Sequence, residues 1–148
     1  MVDFTNISRL DVSGKTSRYT LTQVAPGPNG LRPVIIGRPA AQENKAYRDI
    51  MLTDIGDRMR ASAGRLSVTA ETLDATRARA RQLYPQYVIA GWENVYDAAG
   101  NEVPFTGEAA IQFINALPNW IFDEMRQFFE EPANFASPLN DAGLVAGN

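Results

Sequence analysis

The sequence predicts an α+β fold: a small N-terminal antiparallel β-hairpin or sheet, about four short helices, and a short β-turn segment near residues 92–105. Three observations carry this reading. Two β-forming runs before residue 40 are separated by a connection rich in Pro and Gly. After Pro39 the apolar residues recur with helical rather than strand period. Residues 91–135 then gather aromatic side chains around a glycine turn and two amphipathic runs. A chain of 148 residues is long enough to bury a core. The organisation read from it is one domain over 1–135, comprising a hairpin at 18–40, a helical middle at 41–90 and an aromatic, acidic helical module at 91–135. Residues 136–148 read as a tail that is mobile unless a partner holds it.

Each element has a local reason. Tyr19 to Val24 alternates apolar and polar residues, and Pro33 to Arg38 reads as its hairpin partner across the loop Ala25 to Gly30. Leu10-Asp11-Val12 is a candidate third strand. Ala46, Tyr47, Ile50, Met51, Ile55 and Met59 then line one side of a helix over 41–61, in which Gly56 costs roughly 1 kcal/mol relative to alanine. Ser62 to Gly64 closes it, and Thr69 can cap the next, with Glu71 near its positive end. There Leu73, Thr76, Ala80, Leu83, Tyr84 and Tyr87 form the apolar side, while Arg77, Arg79 and Arg81 read as a solvated face. Pro85 should end or distort this helix.

Trp92 to Tyr96 reads as a short strand, returned by Glu102 to Phe105 across a turn in which Gly100 suits a left-handed position. Thr106 caps a helix whose buried side is Ala110, Ile111, Phe113, Ile114 and Leu117. Pro118 can open a final helix with the stripe Ile121, Met125, Phe128 and Phe129, and Pro132 ends it.

Composition excludes several functions. There are 0 cysteines and 0 histidines, so the commonest metal ligand and general base are both missing. No phosphate-cradling glycine loop is present, and the neighbouring carboxylates Asp123 and Glu124 point apart on a helix. The Asp97 turn lacks the alternating oxygens and closing glutamate of a calcium loop. We therefore assign no catalytic residue, no metal ligand and no cofactor, and expect a protein that is not an enzyme. No apolar run reaches the ~20 residues that span a bilayer, and Met1 to Thr5 lacks a signal-peptide pattern. These features predict a cytoplasmic protein without membrane contact.

Charge is uneven. Residues 1–90 carry 13 Lys/Arg and 8 Asp/Glu, whereas residues 91–148 carry 1 and 9. The basic half is dispersed over loops and two helices without exposed stacking aromatics, which argues against nucleic acid as a partner. Opposite halves can instead steer head-to-tail contacts with other copies or with a partner protein.

One region has a family look. Trp92, then Val95-Tyr96-Asp97-Ala98-Ala99-Gly100-Asn101-Glu102-Val103-Pro104-Phe105-Thr106, two short helices and Asn134-Phe135 together resemble the tail assembly chaperones of long-tailed bacteriophages. Upstream, the hairpin running into Arg38-Pro39-Ala40 and Glu43-Asn44-Lys45-Ala46-Tyr47 is similar to them too. The resemblance covers most of Arg18–Leu52 and Gly91–Phe135. It implies a non-enzymatic morphogenesis factor that binds tape measure and tail tube proteins in the host cytoplasm and keeps them soluble during tube assembly. It also implies that a longer frameshifted product can exist. The alternative from another class is a virion structural protein, such as a capsid cement, head-tail or tail component.

Four aromatic residues are the candidate partner contacts. Trp120, like Trp92, reads either as a core anchor or as a contact. Phe128 and Phe129 are adjacent on one helix, so one of them can face a partner. Phe135, beyond Pro132, is the candidate exposed aromatic.

Overall fold

The computed structural model describes residues 4–61 and 70–136. After a short turn of helix, α1 (Thr5–Ser8), the strands β1 (Ser17–Thr20) and β2 (Val34–Gly37) pair antiparallel, with Tyr19 opposite Ile35. The predicted hairpin is therefore present. The third strand is β3 (Ile89–Glu93), which pairs antiparallel with β2 and places Trp92 opposite Ile35. This corrects the expectation at Leu10–Val12. Val12 is buried there, but it ends in a turn where the Lys15 amide donates to the Val12 carbonyl and Gly14 takes a φ of 76°.

Between β2 and β3 the chain crosses over through α2 (Lys45–Ala61), α3 (Ala70–Leu83) and a π-helical turn at Tyr84–Val88. Helix α2 starts four residues later than the 41–61 reading, since Ala41 to Asn44 make a turn instead. The predicted cap at Thr69, the closure at Ser62 to Gly64 and the tail beyond residue 136 lie outside the described residues. Pro85 distorts rather than stops the helix. Proline has no amide to close an α-type bond, and the Ile89 amide reaches back five residues to the Tyr84 carbonyl. The widened turn keeps both Tyr84 and Val88 in the core.

β3 stops three residues earlier than expected because Asn94 adopts a φ of 62°, a left-handed value that asparagine tolerates. The chain then folds over Trp92. Asp97 organises the turn, its Oδ1 accepting from the Ala99 and Asn101 amides at 2.9 Å each. Gly100 takes a φ of 84°, and Tyr96 bridges Glu102 across the turn. The Trp92 indole donates to the Val103 carbonyl at 2.9 Å and packs between Phe105, edge to face, and Phe113, with ring centres 5.0 and 5.3 Å away.

α4 (Gly107–Ala116) begins at the predicted cap, with the Ala109 amide donating to the Thr106 hydroxyl at 3.0 Å. Ala110, Ile114 and Leu117 are buried and Phe113 is half-buried, whereas Ile111 faces outward. Pro118 occupies the cap position of α5 (Asn119–Glu130) rather than its first turn, with ψ at 151°. α5 buries Ile121, Phe122, Met125 and Phe129. Phe122 belongs to this stripe by helical period, being three residues before Met125. A last turn, α6 (Ala133–Ala136), folds back so that the Ser17 hydroxyl donates to the Asn134 carbonyl at 2.9 Å. One apolar cluster joins the sheet, through Leu21, Ile35 and Ile89, to α5 and to Leu83 and Tyr84.

Candidate partner-binding groove

The four aromatic candidates separate clearly. Phe129 is 0% exposed and Phe135 is 1% exposed, so neither can meet a partner without unfolding. Both expectations are corrected. Phe129 lies over β2 where Gly37 has no side chain, and a Cβ there would sit 2.6 Å from its ring. Phe135 is turned inward because the residues after Pro132 form α6, which brings its ring to 6.2 Å from that of Phe129. Phe128 is half-buried and packs on Tyr19 at 5.1 Å. Trp120 is 58% exposed and stays a contact candidate, whereas Trp92 is core-facing.

The three arginines of α3 do not form a solvated face. Arg77 pairs with Asp123 of α5, its Nη2 lying 2.8 Å from Oδ2. Arg81 donates to the carbonyls of Ile114 and Leu117 at the end of α4, and to Asn119 Oδ1 at 2.8 Å. Its guanidinium lies 4.7 Å from the centre of the Phe122 ring. Arg79 points the other way and pairs with Asp54 of α2 at 2.7 Å. Thus α3 is clamped to α4 and α5 by two arginines and joined to α2 by the third.

Between α2, α3 and α5 runs a groove of about 400 Å³, lined among others by Tyr47, Met51, Ala75, Thr76, Ala80 and Arg126. Its α2 wall is the stripe Tyr47, Met51, Asp54 and Arg58, spaced as one helix face and about 16 Å long at 1.5 Å per residue. The sequence reads Ala46, Tyr47, Ile50, Met51, Ile55 and Met59 as the apolar side of this helix, and of these Tyr47 and Met51 line the groove. In the fold Tyr47 is the one buried residue of α2, and Leu52, Ile55 and Met59 are exposed.

The charges around the groove compensate one another. Asp54 pairs with Arg79, Asp57 with Arg60, and Arg126 with Asp123 and, at 3.8 Å, with Glu130. Burial pushes the Glu130 carboxyl above its usual value and the Tyr84 hydroxyl well above its own. The hydrogen bond from Arg77 holds Asp123 below the usual 3.8. A carboxylate whose folded value is depressed stabilises the fold above its unfolded value, and that stability is lost as pH falls through the folded one. Asp123→Asn should therefore flatten the loss of stability below about pH 4, as read by urea denaturation across pH. An unchanged acid limb would show that the Arg77 pair carries no pH-dependent stability.

Among the described residues no group of three or more acidic side chains could hold a metal ion, and no helix is long and apolar enough to cross a membrane. Searches of curated proteins and of solved structures find no match. A family model described as YdaY prophage protein matches residues 42–143, which span every element from α2 to α6. That match covers more than half of the chain, and the protein belongs to the YdaY prophage protein family.

Proposed function

We propose that this prophage protein acts through protein contacts in phage morphogenesis, as a tail assembly chaperone whose groove takes an amphipathic helix of a tape measure or tail tube protein. The observation that supports this reading is the groove itself: an apolar trough three helical turns long, with Asp54, Asp57, Arg79, Arg126 and Glu130 of its lining paired within the chain. Paired rim charges favour an uncharged aliphatic stripe over an acidic or basic ligand.

Ala75 tests this without touching the core, because it lines the groove yet is exposed. Ala75→Arg puts a long charged side chain in the trough at a helix position that tolerates it. Co-expressed with the tape measure and tail tube proteins of the same phage, the wild-type chain should keep one of them soluble and co-purify with it. The variant should capture at least about tenfold less, a loss near 1.4 kcal/mol, with an unchanged melting temperature. Equal capture by the variant would remove the groove from the mechanism. Mass spectrometry of purified particles beside infected-cell lysate tests the role. Presence in lysate and absence from particles fits a chaperone, while a fixed stoichiometry in particles would replace it with a virion component.

A further inference from the structure

Phe4, Ile7 and Leu10 are the three most exposed large apolar side chains among the described residues, at 62%, 63% and 61%. They stand on a hydrogen-bonded segment. The Ile7 and Ser8 amides donate to the Phe4 carbonyl at 3.0 and 2.9 Å, and the Leu10 amide donates to the Ile7 carbonyl at 3.0 Å. Bonds that join a carbonyl to the third residue onward make tight turns in which side chains three apart lie along one edge. That edge is Phe4, Ile7 and Leu10, with the charged Arg9 and Asp11 away from it. Its root is anchored, since Val12 is buried and the Ser17 hydroxyl donates to the Asn134 carbonyl. A helical turn this short is marginal in water unless its apolar side is packed, and here that side faces outward.

The groove offers the matching surface. Phe4 to Leu10 spans roughly 9–12 Å along a helix, within the ~16 Å of the α2 wall. Tyr47, Met51, Ala75 and Ala80 line the trough, and its Asp54, Asp57, Arg79, Arg126 and Glu130 are paired within the chain, so it suits an edge without charge. We propose that the Phe4–Ile7–Leu10 edge of one copy docks in the α2–α3–α5 groove of a second copy. Reciprocal exchange closes a two-fold dimer, whereas one-way docking builds a ring or a chain. In either form the arm and a phage protein compete for one trough, and self-association keeps both apolar surfaces covered until the arm is displaced. This docking rests on the groove being a helix site, as proposed above, and not on which phage protein occupies it.

Sedimentation velocity on the intact chain tests it with no other protein present. Over about three decades of concentration the wild type should pass from monomer to dimer or larger species. Ile7→Glu leaves the groove competent and spoils the arm, and Ala75→Arg does the reverse. Each should weaken self-association at least about tenfold. Both positions are exposed, so melting temperatures at low concentration should match the wild type and serve as the folding control. Mixing the two variants should restore a 1:1 complex, because one intact arm and one intact groove remain between them. A wild type that stays monomeric throughout, variants that associate as well as it does, or a mixture that stays monomeric would overturn the docking. If it is overturned while the wild type captures a phage protein and Ala75→Arg does not, the self-docking alone is wrong. If mixing succeeds while Ala75→Arg captures as well as the wild type, the phage-partner reading alone is wrong.

Discussion

Phe129→Ala is expected to cost about 3–5 kcal/mol, the range for removing a fully buried phenylalanine from a core that cannot collapse around it. The surroundings leave little room for relaxation. The ring touches Phe128 at 5.3 Å, Tyr19 at 6.2 Å and Phe135 at 6.2 Å, and its edge rests on the backbone of Gly37. The Phe129 carbonyl also accepts from the Ala40 amide at 2.8 Å, so the same residue fixes α5 to the end of β2. A small domain has about 5–15 kcal/mol in total, so the variant should melt roughly 10 °C lower or fail to fold. Urea denaturation followed by circular dichroism reads this directly. A loss under about 1 kcal/mol would mean that the ring is not packed as described and would reopen Phe129 as a contact residue.

What could be read from the chain alone follows from how local each signal is. The Thr106 cap, the Asp97 turn and the helical period of α5 depend on residues within a few positions of each other, and each was legible. The β1–β2 hairpin was legible because its two runs are neighbours in sequence. The third strand was not, since β3 reaches β2 only after two helices and a π-helical turn, and pattern alone does not specify which strand closes a sheet. Periodicity likewise marks an apolar stripe without saying what covers it. The stripe on α5 became core, whereas the one on α2 divided: Tyr47 and Met51 line a groove, and Ile55 and Met59 are exposed. Phe135 and Trp120 make the same point in opposite directions, because the turn after Pro132 buries one and the start of α5 leaves the other in solvent.

Arg81→Ala should cost about 2–3 kcal/mol, a large effect for a side chain that composition would assign to the surface. The guanidinium meets the carbonyl of Ile114, which within the helix end accepts only the long 3.4 Å bond from the Leu117 amide, and the carbonyl of Leu117 just past α4. Hydrogen bonds to a charged donor contribute about 1.5–3 kcal/mol, and truncation removes that donor from both carbonyls. Stacking over Phe122 adds a cation–π contact of about 0.5–1 kcal/mol. Arg81→Lys should recover less than half of the loss, because a single ammonium cannot span both carbonyls, Asn119 and the ring face as a planar fork does. Full rescue by lysine would reduce the contact to simple charge at a helix end. The location gives the measurement a second use. Arg81 holds the fixed wall of the groove, so its loss should lower stability and partner capture together, whereas Ala75→Arg should lower capture alone. Two variants on one helix thereby separate the framework of the groove from the surface that it presents.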